Sequence, residues 1–193
     1  MIHDLKSSLR AALVLLIAFT LLLGLAYPLA ITGIAQTAMP DQANGSLIRD
    51  GDTVRGSALI GQTFTEAGYF HGRPSAAGDN GYDASASSGS NYGPTSKDLI
   101  DRAKGDAAAY AGQAIPVDAI TASGSGLDPD ISPAFAKLQV ARVASARGLE
   151  PVQVQALVDR VTRYPLLGIL GEPRVNVLLL NRQLDAQVAQ GSL

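Results

Sequence analysis

Residues 11–31 read AALVLLIAFTLLLGLAYPLAI, and no charged residue occurs between Ala11 and Pro40. At roughly 1.5 Å per residue, a helix over 11–31 is roughly 30 Å long, the thickness of a bilayer's hydrocarbon core. Lys6 and Arg10 precede it, and the next charge beyond it is Asp41. Basic flanks stay on the cytoplasmic side, so residues 1–10 are expected inside and residues 32–193 outside the cytoplasm. Tyr27 suits the far interface, and Pro28 is expected to bend only the last turns. A cleaved signal peptide is the competing reading. Its apolar core would be shorter, about 7–15 residues, and would end at a small-residue cleavage site. Here the apolar run continues into Pro28-Leu-Ala-Ile-Thr-Gly33 without such a site. A retained single-pass anchor is therefore expected.

The 193 residues allow one domain beside that anchor. A net charge of -2 offers no basic field for nucleic acid. Cysteine is absent, which excludes disulfides and thiolate metal sites. The two histidines, His3 and His71, would need carboxylate help to hold a metal, and no metal site is expected.

Beyond the anchor the sequence reads as α+β, one mixed domain without internal repeats. Strands Ser46–Arg49 and Thr53–Gly56 flank Asp50-Gly51-Asp52, a hairpin in which glycine supplies a positive φ. Ser57–Gly61 is a possible extension of that sheet, and Ile115–Ala122 has the composition of a further strand. Four helices follow the hairpin. Ser96 is placed to cap the first, which runs to about Tyr110 with Leu99, Ala103 and Tyr110 on one side. Ser132 caps the second, with Pro133 at its first position and Gly148 past its end. Pro151 opens the third, whose Val154, Leu157, Val158 and Val161 fall on one face. Asn176 opens the last, with Val177, Leu180, Leu184 and Val188 aligned. Residues 69–95 form a connection too long to be structureless in a compact domain, so it is either functional or mobile.

Three places invite a chemical reading. The run Thr121-Ala-Ser-Gly-Ser-Gly-Leu-Asp128 leads toward the helix capped by Ser132. Small residues before a helix N-terminus can hold an anion, but the lysine of a phosphate-binding loop is missing. The alternative is a turn in which Asp128 and Ser132 cap local backbone. Gln139 stacks between Phe135 and Val143 inside an apolar stripe. A polar group there must be hydrogen-bonded, either to a ligand or partner or to loop backbone such as the Ser123–Gly126 turn. His71 with Arg73 could bind an anion or move a proton, or simply pack. No arrangement for autonomous catalysis stands out.

The chain resembles the C subunit of the bacterial high-affinity potassium-transporting P-type ATPase, the KdpC family. The resemblance rests on Tyr27-Pro-Leu29, Gln42-Ala-Asn-Gly-Ser-Leu-Ile48, Gly56-Ser-Ala-Leu-Ile-Gly-Gln62, Tyr69-Phe-His-Gly-Arg-Pro-Ser-Ala76 and Ser88-Gly-Ser-Asn91. It continues through Thr121–Asp128, Gln139-Val-Ala-Arg-Val-Ala144 and Gly171-Glu-Pro-Arg-Val-Asn176, in order over nearly the whole chain.

The resemblance implies a non-catalytic accessory subunit in the bacterial plasma (inner) membrane. Its implied partners are a channel-like potassium-translocating subunit, a P-type ATPase subunit that carries the phosphorylated aspartate, and a small single-helix membrane subunit. It also implies a catalytic chaperone that raises the ATPase subunit's affinity for ATP, with Ser123, Gly124, Ser125, Gly126 and Gln139 as nucleotide-binding residues. The charge flanks oppose that last implication, because they place Gln139 outside while ATP is cytoplasmic. An extracytoplasmic cap that stabilises the complex and shapes potassium entry is the alternative. A free-standing tethered binding protein is a third reading. It would survive purification alone, whereas a subunit co-purifies with two large membrane chains.

Overall fold

The computed structural model describes residues 2–165 and 168–189. The chain forms two compact units, Met1–Leu47 and Ile48–Leu193.

In the first unit, helix α1 (Ile2–Leu21) runs through a π-helical stretch (Leu22–Ala26) into α2 (Tyr27–Ala38), and a short α3 (Pro40–Ala43) follows. The apolar part, Ser8–Ala38, is long enough to cross a membrane, and its side chains are exposed in the isolated chain. At about 1.5 Å per residue it exceeds the roughly 30 Å of a hydrocarbon core, so its ends reach past the apolar layer. Pro28 does not end the helix. It has no N–H to give to Gly24, and its ring would clash with that carbonyl in a regular α-helix. The π stretch accommodates it: the Tyr27 N–H reaches back to the Leu22 carbonyl, one residue further than an α-helical bond.

The second unit begins with the expected hairpin, β1 (Leu47–Asp50) and β2 (Thr53–Ser57). Gly51 turns it with φ +59°. The sheet does not extend through Ser57–Gly61. There the Ser57 hydroxyl accepts from the Leu59 N–H at 3.1 Å and folds the chain into a turn. The first predicted helix is α4 (Lys97–Ala108). Ser96 stands at its N-cap without a side-chain cap bond, and the helix stops before Tyr110. The strand expected over Ile115–Ala122 is instead a 3-10 turn, Val117–Ala119. Pro116 fixes its entry at φ −63°, and the Thr121 hydroxyl bonds back to the Val117 carbonyl at 2.7 Å. Compact local bonding replaces the extended ladder.

A second small sheet pairs β3 (Asp130–Ile131) antiparallel with β4 (Val175–Asn176). The three remaining helices match the sequence closely. In α5 (Pro133–Arg147), the Ser132 hydroxyl accepts from the Phe135 N–H at 3.0 Å and Gly148 closes the far end at φ +65°. Helix α6 (Pro151–Val161) starts with a Glu150/Gln153 capping box. Helix α7 (Val177–Ala189) follows Asn176, whose side chain accepts from the Leu179 N–H. Val177, Leu180 and Leu184 are buried on α7, while the Val188 side chain lies outside the described residues.

The core lies where α5, α6 and α7 meet. Phe135, Val143, Val154, Leu157, Val158, Leu180 and Leu184 are all buried there. Phe70, also fully buried in this cluster, comes from a loop. The domain is thus mixed α and β, as the sequence indicates, with short two-stranded sheets flanking a three-helix core.

Candidate functional site: a backbone segment held by side chains

The 69–95 stretch has no regular secondary structure, yet its start is tied down along its length. Gln139 on α5 is 1% exposed. Its Oε1 accepts from the His71 N–H at 2.8 Å, and its Nε2 donates to the His71 carbonyl at 3.0 Å. Asn181 on α7, also 1% exposed, does the same one residue earlier. Its Oδ1 accepts from the Phe70 N–H at 2.9 Å and its Nδ2 donates to the Phe70 carbonyl at 3.0 Å. Each amide acts as a one-residue strand partner. Because consecutive peptides point opposite ways in extended chain, two helices are needed to reach both.

Arginines continue the pattern upstream. Arg142 donates to the carbonyls of Ala67 (2.7 Å) and Tyr69 (2.9 Å) and to Gln139 Oε1 (2.6 Å). Arg147 donates to the Gly68 carbonyl at 2.6 Å, stacks over the Tyr69 ring at 4.6 Å and pairs with Asp185 at 2.8 Å. Gln139 therefore satisfies loop backbone, as one sequence reading holds, but the backbone is that of His71 rather than the Ser123–Gly126 turn. Asn181, Arg142 and Arg147 were not singled out from the sequence. Asn181 carried the signal that exposed Gln139: a polar residue one turn from both Val177 and Leu184 on an apolar stripe.

The His71 ring is half-buried, with Nε2 3.1 Å from the Glu66 carbonyl. Burial holds its pKa below the ordinary histidine value of 6.5; the Arg142 charge acts the same way, and the Glu66 contact opposes both. The folded protein therefore disfavours protonated His71 relative to the unfolded chain. Its stabilising contribution is present above pH 6.5 and is lost as pH falls through the lowered folded value. A His71→Gln variant should show a flatter decline of melting temperature between neutral and acid pH than the parent. Parallel curves would remove His71 from the acid response.

Arg73 does not stand free beside His71. It pairs with Asp128 at 2.9 Å and reaches the Thr121 carbonyl at 3.4 Å. Asp128 also accepts from the Asp130 N–H at 3.0 Å, the local capping that a turn requires. Nearby, the Tyr82 hydroxyl donates to the Arg73 carbonyl at 2.8 Å. Burial, with Asp128 adding to it, pushes that phenol up to about 12, so it stays a donor at neutral pH. His71, Arg73 and Tyr82 line a cavity of about 420 Å³. Arg73 also borders a second cavity, of about 430 Å³, with Asp118, Asp128, Asp130, Glu172 and Arg174. Neither cavity is lined by Gln139 or by residues 123–126.

The Ser123–Gly126 turn packs against another part of the same long loop. The Ser125 carbonyl accepts from the Ser88 N–H at 3.0 Å and the Ser87 hydroxyl at 3.0 Å, and the Gly126 carbonyl accepts from the Ser75 hydroxyl at 2.6 Å. Ser123 and Gly126 are buried, whereas Gly124 and Ser125 are exposed. Among the described residues no group of histidine and carboxylate side chains gathers to hold a metal ion.

Known proteins are similar in sequence over nearly the whole chain. A protein described as potassium-transporting ATPase KdpC subunit from Caulobacter vibrioides is 65% identical over 186 residues, covering 94% of each chain. Proteins of the same description from Beijerinckia indica and Rhodospirillum rubrum are 57% and 56% identical, over 93% and 92% of this chain and 93% and 95% of theirs. The profile of the family described as K+-transporting ATPase, c chain, matches residues 9–186. With that match spanning both the apolar helix and the helical core, the chain belongs to the KdpC family, the c chain of K+-transporting ATPases.

Proposed function

We propose that this chain is a non-catalytic accessory subunit of an ATP-driven potassium transport complex in the bacterial plasma membrane. It is anchored by its N-terminal helix with residues 1–10 in the cytoplasm and residues 32–193 outside. Its partners are a channel-like potassium-translocating subunit, a P-type ATPase subunit and a small accessory membrane subunit. The extracytoplasmic domain acts as a cap that stabilises the assembly and shapes potassium entry. Any increase in the ATPase subunit's affinity for ATP is transmitted through subunit contacts rather than by touching nucleotide.

The observation that carries this reading is the state of Gln139. Both ends of its amide pair with the His71 backbone, and the residue is 1% exposed. A nucleotide would have to strip those bonds and displace core packing to reach it. The pairing of Gln139 with His71 and the packing of residues 123–126 against Ser75, Ser87 and Ser88 support a reading in which these residues hold loop backbone and not nucleotide. The basic flank Lys6 and Arg10, against a charge-free far side, supports the outward orientation.

Two measurements test it. Protease added to intact spheroplasts should digest residues 41–193; protection until lysis would reverse the orientation. Gln139→Ala should leave the His71 backbone groups unpaired, at a cost of roughly 1–3 kcal/mol. A lower melting temperature with unchanged ATP dependence of potassium-stimulated hydrolysis in the whole complex is expected. A several-fold rise in the Michaelis constant for ATP at unchanged melting temperature would instead establish the direct nucleotide contact.

A further inference from the structure

Two asparagines in the sequence are followed directly by glycine, Asn44-Gly45 and Asn80-Gly81. The fold treats them differently. Asn44 closes the short helix α3, and its side-chain amide is held at both ends. Its Nδ2 donates to the Pro40 carbonyl at 2.7 Å and to Gln36 Oε1 at 3.0 Å, and its Oδ1 accepts from Gln36 Nε2 at 3.3 Å. The Gly45 N–H donates to the Gln42 carbonyl at 3.1 Å. Asn80 stands in a turn of the long loop and is exposed. Its side-chain amide has no hydrogen-bond partner among the described residues. The Gly81 N–H reaches the Gly78 carbonyl only at 3.4 Å, longer than an ordinary N–H···O bond. Asn80 also lines the cavity of about 420 Å³ that holds Asp79, His71 and Arg73.

We propose that Asn80 is a site of spontaneous covalent modification, where the folded protein deamidates while Asn44 is spared. The Gly81 main-chain nitrogen attacks Asn80 Cγ and gives up its proton to solvent as the new N–Cγ bond forms. The bond from Cγ to Nδ2 breaks, and the amide nitrogen leaves as ammonia with a proton taken from solvent. The product is a five-membered succinimide. Water then opens the ring at one of its two carbonyl carbons. Cleavage at Cγ leaves aspartate on an unchanged main chain. Cleavage at the main-chain carbonyl leaves isoaspartate, with one extra methylene in the main chain. Glycine favours ring closure because no Cβ crowds the attacking nitrogen. The reaction also needs an asparagine side chain able to swing onto that nitrogen. At Asn80 no side-chain bond has to be given up, whereas at Asn44 three do. Either product puts a new carboxylate beside Asp79 in the lining of the cavity that holds His71 and Arg73. The inference is independent of the membrane topology and of the role assigned to Gln139.

The full-length chain in detergent is incubated at mildly alkaline pH in water enriched in oxygen-18, sampled over time and digested with trypsin. Residues 11–49 carry Asn44 and residues 56–97 carry Asn80, because trypsin does not cut between Arg73 and Pro74. Tandem mass spectrometry locates each site of label uptake. Label should enter at Asn80 at least about tenfold faster than at Asn44, since one tenfold step is less than three side-chain hydrogen bonds are together worth. In urea the fold no longer protects Asn44, and the two sites should react at nearly equal rates. Asn80→Gln should abolish uptake at residue 80, because the larger ring closes far more slowly, and should leave Asn44 as it was. Uptake at Asn80 no faster than at Asn44 in the folded chain overturns the proposal. An inert Asn80 in the folded chain that reacts only in urea overturns it as well, because the turn then blocks ring closure. The same large preference for Asn80 in urea would trace it to the neighbouring residues and defeat the structural account.

Discussion

Phe70→Ala is expected to cost about 3–5 kcal/mol of stability, as large as the loss of an aromatic from the middle of a helix bundle. Such a cost is a substantial part of the roughly 5–15 kcal/mol that holds a typical domain folded. Phe70 is 0% exposed and belongs to the same buried cluster as Phe135, Leu157 and Leu184, although it sits in a stretch without regular secondary structure. Its ring is placed by its own backbone, both polar groups of which are held by Asn181. Truncating the ring leaves a cavity that the surrounding helices cannot close, because α5 is also fastened to the segment through Gln139, Arg142 and Arg147. Urea unfolding is the measurement. The midpoint should fall sharply with little change in slope. A shift no larger than that of an exposed substitution would mean that the loop is not part of the core.

The same segment shows where the sequence was legible and where it was not. Helices α5 and α6 could be read to within a residue or two, because their signals are local: Ser132 with Pro133 at one start, Pro151 at the other, Gly148 between. The Asp50-Gly51-Asp52 hairpin was readable for the same reason. The apolar run over 11–31 announced a membrane helix, although the widened turn over Leu22–Ala26 leaves no mark in composition. The 3-10 turn at Val117 was missed because Ile115, Val117 and Ile120 give strand-like composition. What folds them compactly is the local hold of Pro116 and Thr121, and Asp118 then takes the Ser132 N–H and hydroxyl from fourteen residues away. Strands β3 and β4 are two residues each and exist only because distant segments meet, so no periodicity could reveal them.

The site divides along the same line. That Gln139 must be satisfied by something followed from its position between Phe135 and Val143. That its partner is His71, sixty-eight residues away, did not follow, because the choice depends on which loop the helices trap. The loop was expected to be functional or mobile. Its opening residues are instead structural, held by amides and arginines that substitute for a neighbouring strand.

Gly126→Ala should destabilise the protein about as much as a core truncation, while Gly124→Ala, two residues away, should be nearly silent. Gly126 has φ +68°, and a Cβ there would lie 2.6 Å from the Ser88 carbonyl oxygen and 2.7 Å from both the backbone nitrogen and the Cβ of Ala77. Two of those three atoms are backbone and cannot rotate away. Left-handed backbone at an alanine costs about 1–2 kcal/mol, and forcing an extra methyl into a filled space adds about 1–3 kcal/mol. At Gly124 a new Cβ meets nothing within 4 Å and the backbone takes no left-handed φ, so the change should stay within about 0.5 kcal/mol. The pair separates the two accounts of residues 123–126. If the segment is a structural turn clasped against Ser87 and Ser88, stability follows Gly126 alone and ATP dependence in the complex follows neither substitution. If the segment receives a ligand through its exposed backbone, Gly124→Ala should disturb function at full stability, because the added methyl projects from the exposed part of the turn. Melting temperature and the Michaelis constant for ATP, measured on both variants in the assembled complex, decide between them. A silent Gly126→Ala or a functionally impaired Gly124→Ala would each defeat the structural account, since steric contact predicts the first to fail and open space predicts the second to pass.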